Sequence, residues 1–238
     1  MIPGRKSKQD GIESEVSIEA GRVTLEGTLG FPEEAAGIVL FAHGSGSSRH
    51  SPRNRYVAQV LQSKGIATLL FDLLTSQEES IDQYNAELRF NIPFLAKRLA
   101  GATEWVQRRP DTRALKIGYF GASTGAAAAL VAAAELPDAV AAVVSRGGRP
   151  DLAEEALGSV RAATLLIVGG DDTPVIAMNQ DALAQLRCPE KKLIIVPGAT
   201  HLFEEPGTLE EVARLAAEWF AQHLTPAVQS RAKASTRA

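Results

Sequence analysis

The chain has 238 residues, 25 Lys+Arg against 28 Asp+Glu, a formal net charge of −3 and a sequence pI of about 5.9. With 45% apolar and 22% charged residues it has the composition of a globular protein, and at this length it buries enough surface to fold without a metal or disulfide. The near balance of charge gives no electrostatic reason to expect nucleic acid as a partner, and one cysteine, Cys188, excludes an internal disulfide and a cysteine-built zinc site.

Residues 1–10 contain no apolar stretch long enough for a secretory signal. No run along the chain approaches the ~20 strongly apolar residues of a membrane span. The expectation is a cytoplasmic protein with no membrane partner. Residues 1–13 are expected to be flexible and residues 14–224 to form a single domain. Residues 225–238, polar and basic through Arg231, Lys233 and Arg237, read as a disordered tail.

Residues 15–19 and 22–27 alternate polar and apolar with period two, predicting an antiparallel pair with one wet face. Residues 37–42 form a continuous apolar run, as expected of a strand covered on both faces. Similar runs follow at 67–71, 116–120, 139–144, 164–168 and 193–196. Between them lie helical patterns. Ser51-Pro52 reads as a cap followed by proline at the first helical position, opening a helix toward residue 63. Residues 92–107 carry apolar side chains at helical spacing, and 124–135 are alanine-rich. Thr173-Pro174 predicts another cap and first position, with a helix toward residue 186. Thr208 and Glu211 read as a capping box ahead of a helix over 212–223. Strands alternating with helices predict an α/β fold: a mainly parallel twisted sheet, antiparallel at its N-terminal strands, with helices on both faces. The long, acidic stretch 72–91 reads as a partly helical excursion from the sheet, a candidate lid.

Gly121-Ala122-Ser123-Thr124-Gly125 is a G-x-S-x-G sequence between a buried strand and an alanine-rich helix. A sharp strand-to-helix turn there projects a serine hydroxyl over a helix N-terminus, where negative charge is favoured. The plain alternative is a serine that merely caps the helix. A nucleophilic serine needs a base, and the base needs an acid to fix its tautomer. Of four histidines, His201 follows a strand and precedes the last helix, at a strand end where ligands bind in open α/β sheets. His223 closes a helix, and His43 is expected to be a structural hydrogen-bonder. The acid is expected at another strand end, in Gly169-Gly170-Asp171-Asp172, where both aspartates qualify; Asp138 and Asp151 leave no strand in a glycine turn. An oxyanion hole needs two backbone donors, for which the N–H groups of Ser45 and Thr124 are the candidates.

Four segments in order, H-G-x-G at His43, the serine elbow at Ser123, G-x-x-D ending at Asp172 and G-x-x-H ending at His201, resemble the α/β-hydrolase superfamily. The resemblance is to its dienelactone-hydrolase-like branch and covers nearly all of residues 15–224. It places the acid on Asp172. Dienelactone hydrolase itself uses a cysteine where this chain has Ser123, so the resemblance implies a serine carboxylester hydrolase that needs no metal or cofactor and acts on a small-molecule ester. A peptidase-like enzyme or acyltransferase on the same fold, or a binding protein without catalysis, are the competing readings. For the substrate pocket the sequence offers Arg49, Arg53 and Arg146 as anion binders, the alternative being that they are solvated or pair with the acidic stretch 77–87. Tyr84, with Ile81, Phe90, Ile92 and Phe94, is a candidate apolar wall under the excursion.

Overall fold

The computed structural model describes residues 12–225; the predicted N-terminal flexible segment and C-terminal tail fall almost wholly outside them. The strands are β1 (Ile12–Ala20), β2 (Val23–Phe31), β3 (Gly37–Ala42), β4 (Ala67–Phe71), β5 (Lys116–Ala122), β6 (Val140–Arg146), β7 (Ala163–Gly169) and β8 (Lys191–Val196). They form one sheet in the order β1-β2-β4-β3-β5-β6-β7-β8. The hairpin β1–β2 joins through antiparallel pairing of β2 with β4, and every pairing from β4 to β8 is parallel. This is the α/β-hydrolase fold.

The continuous apolar runs are explained by the two faces they feed. Leu40, Leu69, Tyr119, Val143 and Leu166 pack on one side with helices α3 (Ile92–Arg108) and α4 (Thr124–Glu135). Their sequence neighbours Phe41, Leu70, Phe120, Val144 and Ile167 pack on the other with α1 (Pro52–Ser63) and α6 (Thr208–Leu224). Because side chains alternate across a strand, burial on both faces requires both members of each pair to be apolar.

Ser51 caps α1 as expected, its hydroxyl accepting from the Asn54 N–H at 3.4 Å. Two expected caps are different. The N-cap of α5 (Thr173–Gln185) is Asp172, whose carboxylate turns away from the helix. The N-cap of α6 is Gly207, at φ 84°; Thr208 is already helical and its hydroxyl donates to the Glu205 carbonyl at 2.7 Å. The expected capping box there is absent. A kinked 3-10 segment over Pro150–Ser159, which the sequence did not suggest, packs beside α4.

The excursion holds the helix α2 (Ser76–Asn85), opened by a true capping box between Thr75 and Glu78. It is braced from within. The fully buried Asp82 accepts from the N–H of Leu88 at 2.5 Å and from Nε of Arg89 at 2.6 Å, and Glu78 pairs with Arg98 of α3. No described helix is long and apolar enough to cross a membrane.

Candidate active site

Ser123 sits at the turn from β5 to α4 with φ 50° and ψ −122°, outside the regions that L-residues populate freely. Two glycines make this turn feasible. A Cβ on Gly121 would stand 2.4 Å from Cα of Ala126, and one on Gly125 would stand 2.2 Å from the Ala42 carbonyl oxygen. The turn is pinned: the Ser123 N–H donates to the Arg146 carbonyl at 3.3 Å, and the Ser123 carbonyl accepts from Ala126 and Arg149 at 3.1 Å each. The Ser123 hydroxyl makes no capping bond to α4, so it does not serve as the helix cap.

Asp172 and His201 come together from the ends of β7 and β8. Nδ1 of His201 lies 2.7 Å from Oδ2 of Asp172. The two loops are laced by backbone bonds, from Gly170 to the Val196 carbonyl at 2.8 Å and from Asp171 to the Ala199 carbonyl at 3.0 Å. A Cβ on Gly169 would stand 2.3 Å from the Ala199 oxygen, so this approach needs glycine. Asp171 is exposed; of the two adjacent aspartates it is Asp172 that meets the histidine. With Nδ1 on the carboxylate, Nε2 of His201 is left without a hydrogen-bond partner among the described residues, and the side chain is 38% exposed. Ser123 and His201 flank the end of β6. The serine N–H bonds Arg146, while a Cβ on the next residue, Gly147, would meet the His201 carbonyl at 3.0 Å and Nδ1 at 3.5 Å. No hydrogen bond joins the Ser123 hydroxyl to His201 among the described residues; such bonds commonly tighten only when substrate is bound.

On the other flank of Ser123 runs the loop after β3. Gly44 packs against it so closely that a Cβ there would stand 3.1 Å from Cβ of Ser123. The Ser45 N–H, expected to point at an oxyanion, donates instead to the Thr124 hydroxyl at 3.0 Å. The sequence offered Thr124 only for its backbone, and nothing in the motif signals this side-chain contact. His43 braces the loop: Nε2 accepts from the Leu73 N–H at 3.1 Å, so Nδ1 carries the proton and donates to the Gly44 carbonyl at 3.0 Å. Burial lowers its pKa and keeps the ring neutral.

The proposed substrate contacts fare unevenly. Arg49 is committed to carboxylates, pairing with Asp72, with Glu26 at 2.8 Å and with Glu15 at 3.7 Å, so it staples its loop to the hairpin and is not a free anion binder. Tyr84 is 87% exposed and Ile81 62% exposed, so they form no covered apolar wall. Ile92 is buried beneath its helix, and Phe94 packs under the Arg98 guanidinium at 4.6 Å. Arg53 borders a cleft of about 700 Å³ between the loop after β3 and α2, and pairs with Glu204 at 2.9 Å. Arg146 is buried; it reaches the Leu202 carbonyl at 3.5 Å, and burial together with the nearby Arg53 charge lowers its pKa to about 10. Among the described residues no group of His, Cys, Asp and Glu is arranged to hold a metal ion.

A sequence profile of the dienelactone hydrolase family matches residues 25–225. A crystal structure of dienelactone hydrolase from Anabaena variabilis is 63% identical with a TM-score of 0.89, covering 91% of this chain and 100% of that one. A Mycobacterium tuberculosis protein named "Putative phosphoribosyl transferase" is 61% identical over 213 residues, 89% of this chain but 47% of its own length. The chain therefore spans about half of that relative. A Pyrococcus furiosus esterase shares the fold at 18% identity and a TM-score of 0.73, over 94% of this chain and 96% of its own.

Proposed function

The chain belongs to the dienelactone hydrolase family, and we propose that within it this protein is a serine hydrolase that cleaves carboxylic esters through an acyl-enzyme on Ser123. The observation that carries this reading is the 2.7 Å bond between Asp172 and His201 beside a serine held in elbow geometry. Nε2 of His201 takes the proton of the Ser123 hydroxyl as its oxygen attacks the ester carbonyl. Asp172 fixes the Nδ1–H tautomer and stabilises the imidazolium. The N–H groups of Thr124 and Ser45 hold the oxyanion, the Ser45 N–H leaving the Thr124 hydroxyl as charge develops. His201 then protonates the departing alkoxide, and water releases the acid by the reverse steps.

Residues 72–91 act in this scheme as a fixed wall of the cleft, a role supported by the bonds of Asp82 and the Glu78–Arg98 pair. The mycobacterial name describes a protein of about twice this length, of which this chain matches about half. A panel of p-nitrophenyl esters set against matched anilides and acyl acceptors tests the proposal. Turnover of esters, lost in Ser123→Ala with the far-UV spectrum unchanged, is the expected result. Preferred cleavage of anilides, or acyl transfer to an acceptor outrunning hydrolysis, would replace ester hydrolysis by one of its rivals.

A further inference from the structure

We propose that the cleft between the loop after β3 and α2 receives the acyl half of the ester, and that it selects a neutral, hydroxylated acyl chain, such as that of a polyhydroxy acid, over an alkyl chain. The proposal rests on Ser123 being the nucleophile. Position argues for the acyl half. The cleft holds about 700 Å³ and is lined on one side by His43, Gly46 and Ser47, from the loop whose Gly44 packs against Ser123; Ser123 itself lies beyond its lining. It lies over the ends of β3 and β4, on one side of β5. His201 lies on the opposite side, beside Gly147 at the end of β6. The imidazole protonates the leaving oxygen, so the alcohol departs on the β6 side. The acyl chain then runs the other way, across the β3 loop into the cleft.

The chemistry of the walls argues for hydroxyls. Pockets that take alkyl chains are lined mostly by apolar side chains. Here the aliphatic lining comes from Leu74 and Pro52 alone. The face of α2 turned to the cleft carries Ser76, Glu79, Ser80 and Gln83, at helical spacing. Its large apolar residues, Ile81 and Tyr84, stand in solvent. The side chains of Ser47, Ser76 and His50 line the cleft and make no hydrogen bond among the described residues, so they are available to a ligand. The charged residues of the lining are already countered: Arg53 by Glu204, Asp72 by Arg49 and Glu79 by Arg89. Among the described residues these walls offer an anionic chain no unpaired guanidinium to offset its desolvation, so it is disfavoured.

The test uses three methyl esters with six-carbon acyl chains, followed by acid release in a pH-stat with the full chain. Methyl hexanoate has no hydroxyls, methyl gluconate carries them, and the monomethyl ester of glucaric acid adds a carboxylate. In each, water cleaves the acyl C–O bond to give the acid and methanol. The expected kcat/KM for gluconate exceeds that for hexanoate by about tenfold or more, roughly two retained hydrogen bonds' worth, and exceeds that for glucarate. The double variant Ser47→Ala, Ser76→Ala lowers the gluconate-to-hexanoate ratio at least about fivefold, the loss of one such bond. Hexanoate matching gluconate, glucarate surpassing it, or no turnover of any methyl ester while p-nitrophenyl acetate is cleaved, overturns the cleft assignment alone. Failure with p-nitrophenyl acetate as well overturns the hydrolase reading beneath it.

Discussion

The backbone of Ser123 sets up a comparison in which stability and activity part company. Its φ of 50° and ψ of −122° hold a Cβ-bearing residue in a region costing on the order of 1–3 kcal/mol. Ser123→Ala and Ser123→Gly both remove the hydroxyl, so any hydrogen bond it makes cancels between them. Only the alanine variant keeps the Cβ and its strain. Glycine reaches this conformation freely but has about 0.5–1 kcal/mol more backbone entropy to lose than alanine. Ser123 is only partly buried, so removing its Cβ leaves no sizeable enclosed cavity. The net expectation is that Ser123→Gly is more stable than Ser123→Ala by about 1 kcal/mol, or roughly 2–4 °C in Tm for a domain of this size. Urea midpoints at equal m-values, together with thermal melts, measure the difference; both variants lack ester turnover. A glycine variant equal to or less stable than the alanine variant would refute the idea that strain is stored at the elbow.

Asp172→Asn should lower kcat on the order of 10⁴-fold and leave folding nearly intact, because its carboxylate serves His201 and does not cap α5; ester kinetics with a urea titration check both halves. Thr124→Val removes the acceptor that holds the Ser45 N–H, a bond worth about 1 kcal/mol, so kcat should rise by up to about fivefold while Thr124→Ser stays at the parent value. A hundredfold loss in the valine variant would mean that the hydroxyl itself donates to the oxyanion. His43 is buried and held neutral below its ordinary range, so the unfolded chain binds a proton below pH ~6.5 that the folded chain refuses. Stability should therefore fall as pH drops from about 6.5 toward the lower folded value, with a slope of at most about 1.4 kcal/mol per pH unit from this residue. His43→Gln should flatten that part of a stability–pH curve built from urea midpoints. Asp82 contributes at lower pH. Burial alone would raise its pKa, but the hydrogen bonds from the Arg89 side chain and from the Leu88 and Arg89 N–H groups outweigh it and lower it. Its share of stability is present above about pH 4 and lost as pH falls through the depressed value; a curve unchanged in Asp82→Asn would count against it.

Much of the fold was legible because the sheet is buried on both faces. The run 37–42 is apolar throughout and 67–71 is apolar but for the buried Thr68, and they coincide with β3 and β4. Ser51-Pro52 marked the start of α1, and apolar side chains at helical spacing marked the course of α3. The two misread caps share one cause. Asp172 looks like part of a turn and Thr208 like a cap, but side chains elsewhere in the fold decide which residue does the capping. Asp172 is drawn to His201, and Glu211 pairs with Arg214 instead of reaching back along its helix. That an aspartate of the 169–172 turn meets His201 could be anticipated, since both segments leave strand ends in glycine turns, but the choice of Asp172 over Asp171 rested on the family resemblance. The arginines could not be sorted by sequence. Arg49 and Arg53 lie four residues apart, yet one meets three carboxylates from β1, β2 and the end of β4 while the other reaches the loop after β8. The Thr124–Ser45 bond joins residues 79 apart and leaves no local trace.

The central claim is that Ser123 is a nucleophile activated by His201. Labelling with a fluorophosphonate probe, followed by peptide mass spectrometry, tests it most directly. One adduct on Ser123 is expected, forming at least about a thousandfold more slowly in His201→Ala. An unlabelled Ser123 in folded protein, or labelling that proceeds equally fast without the imidazole, would contradict the account.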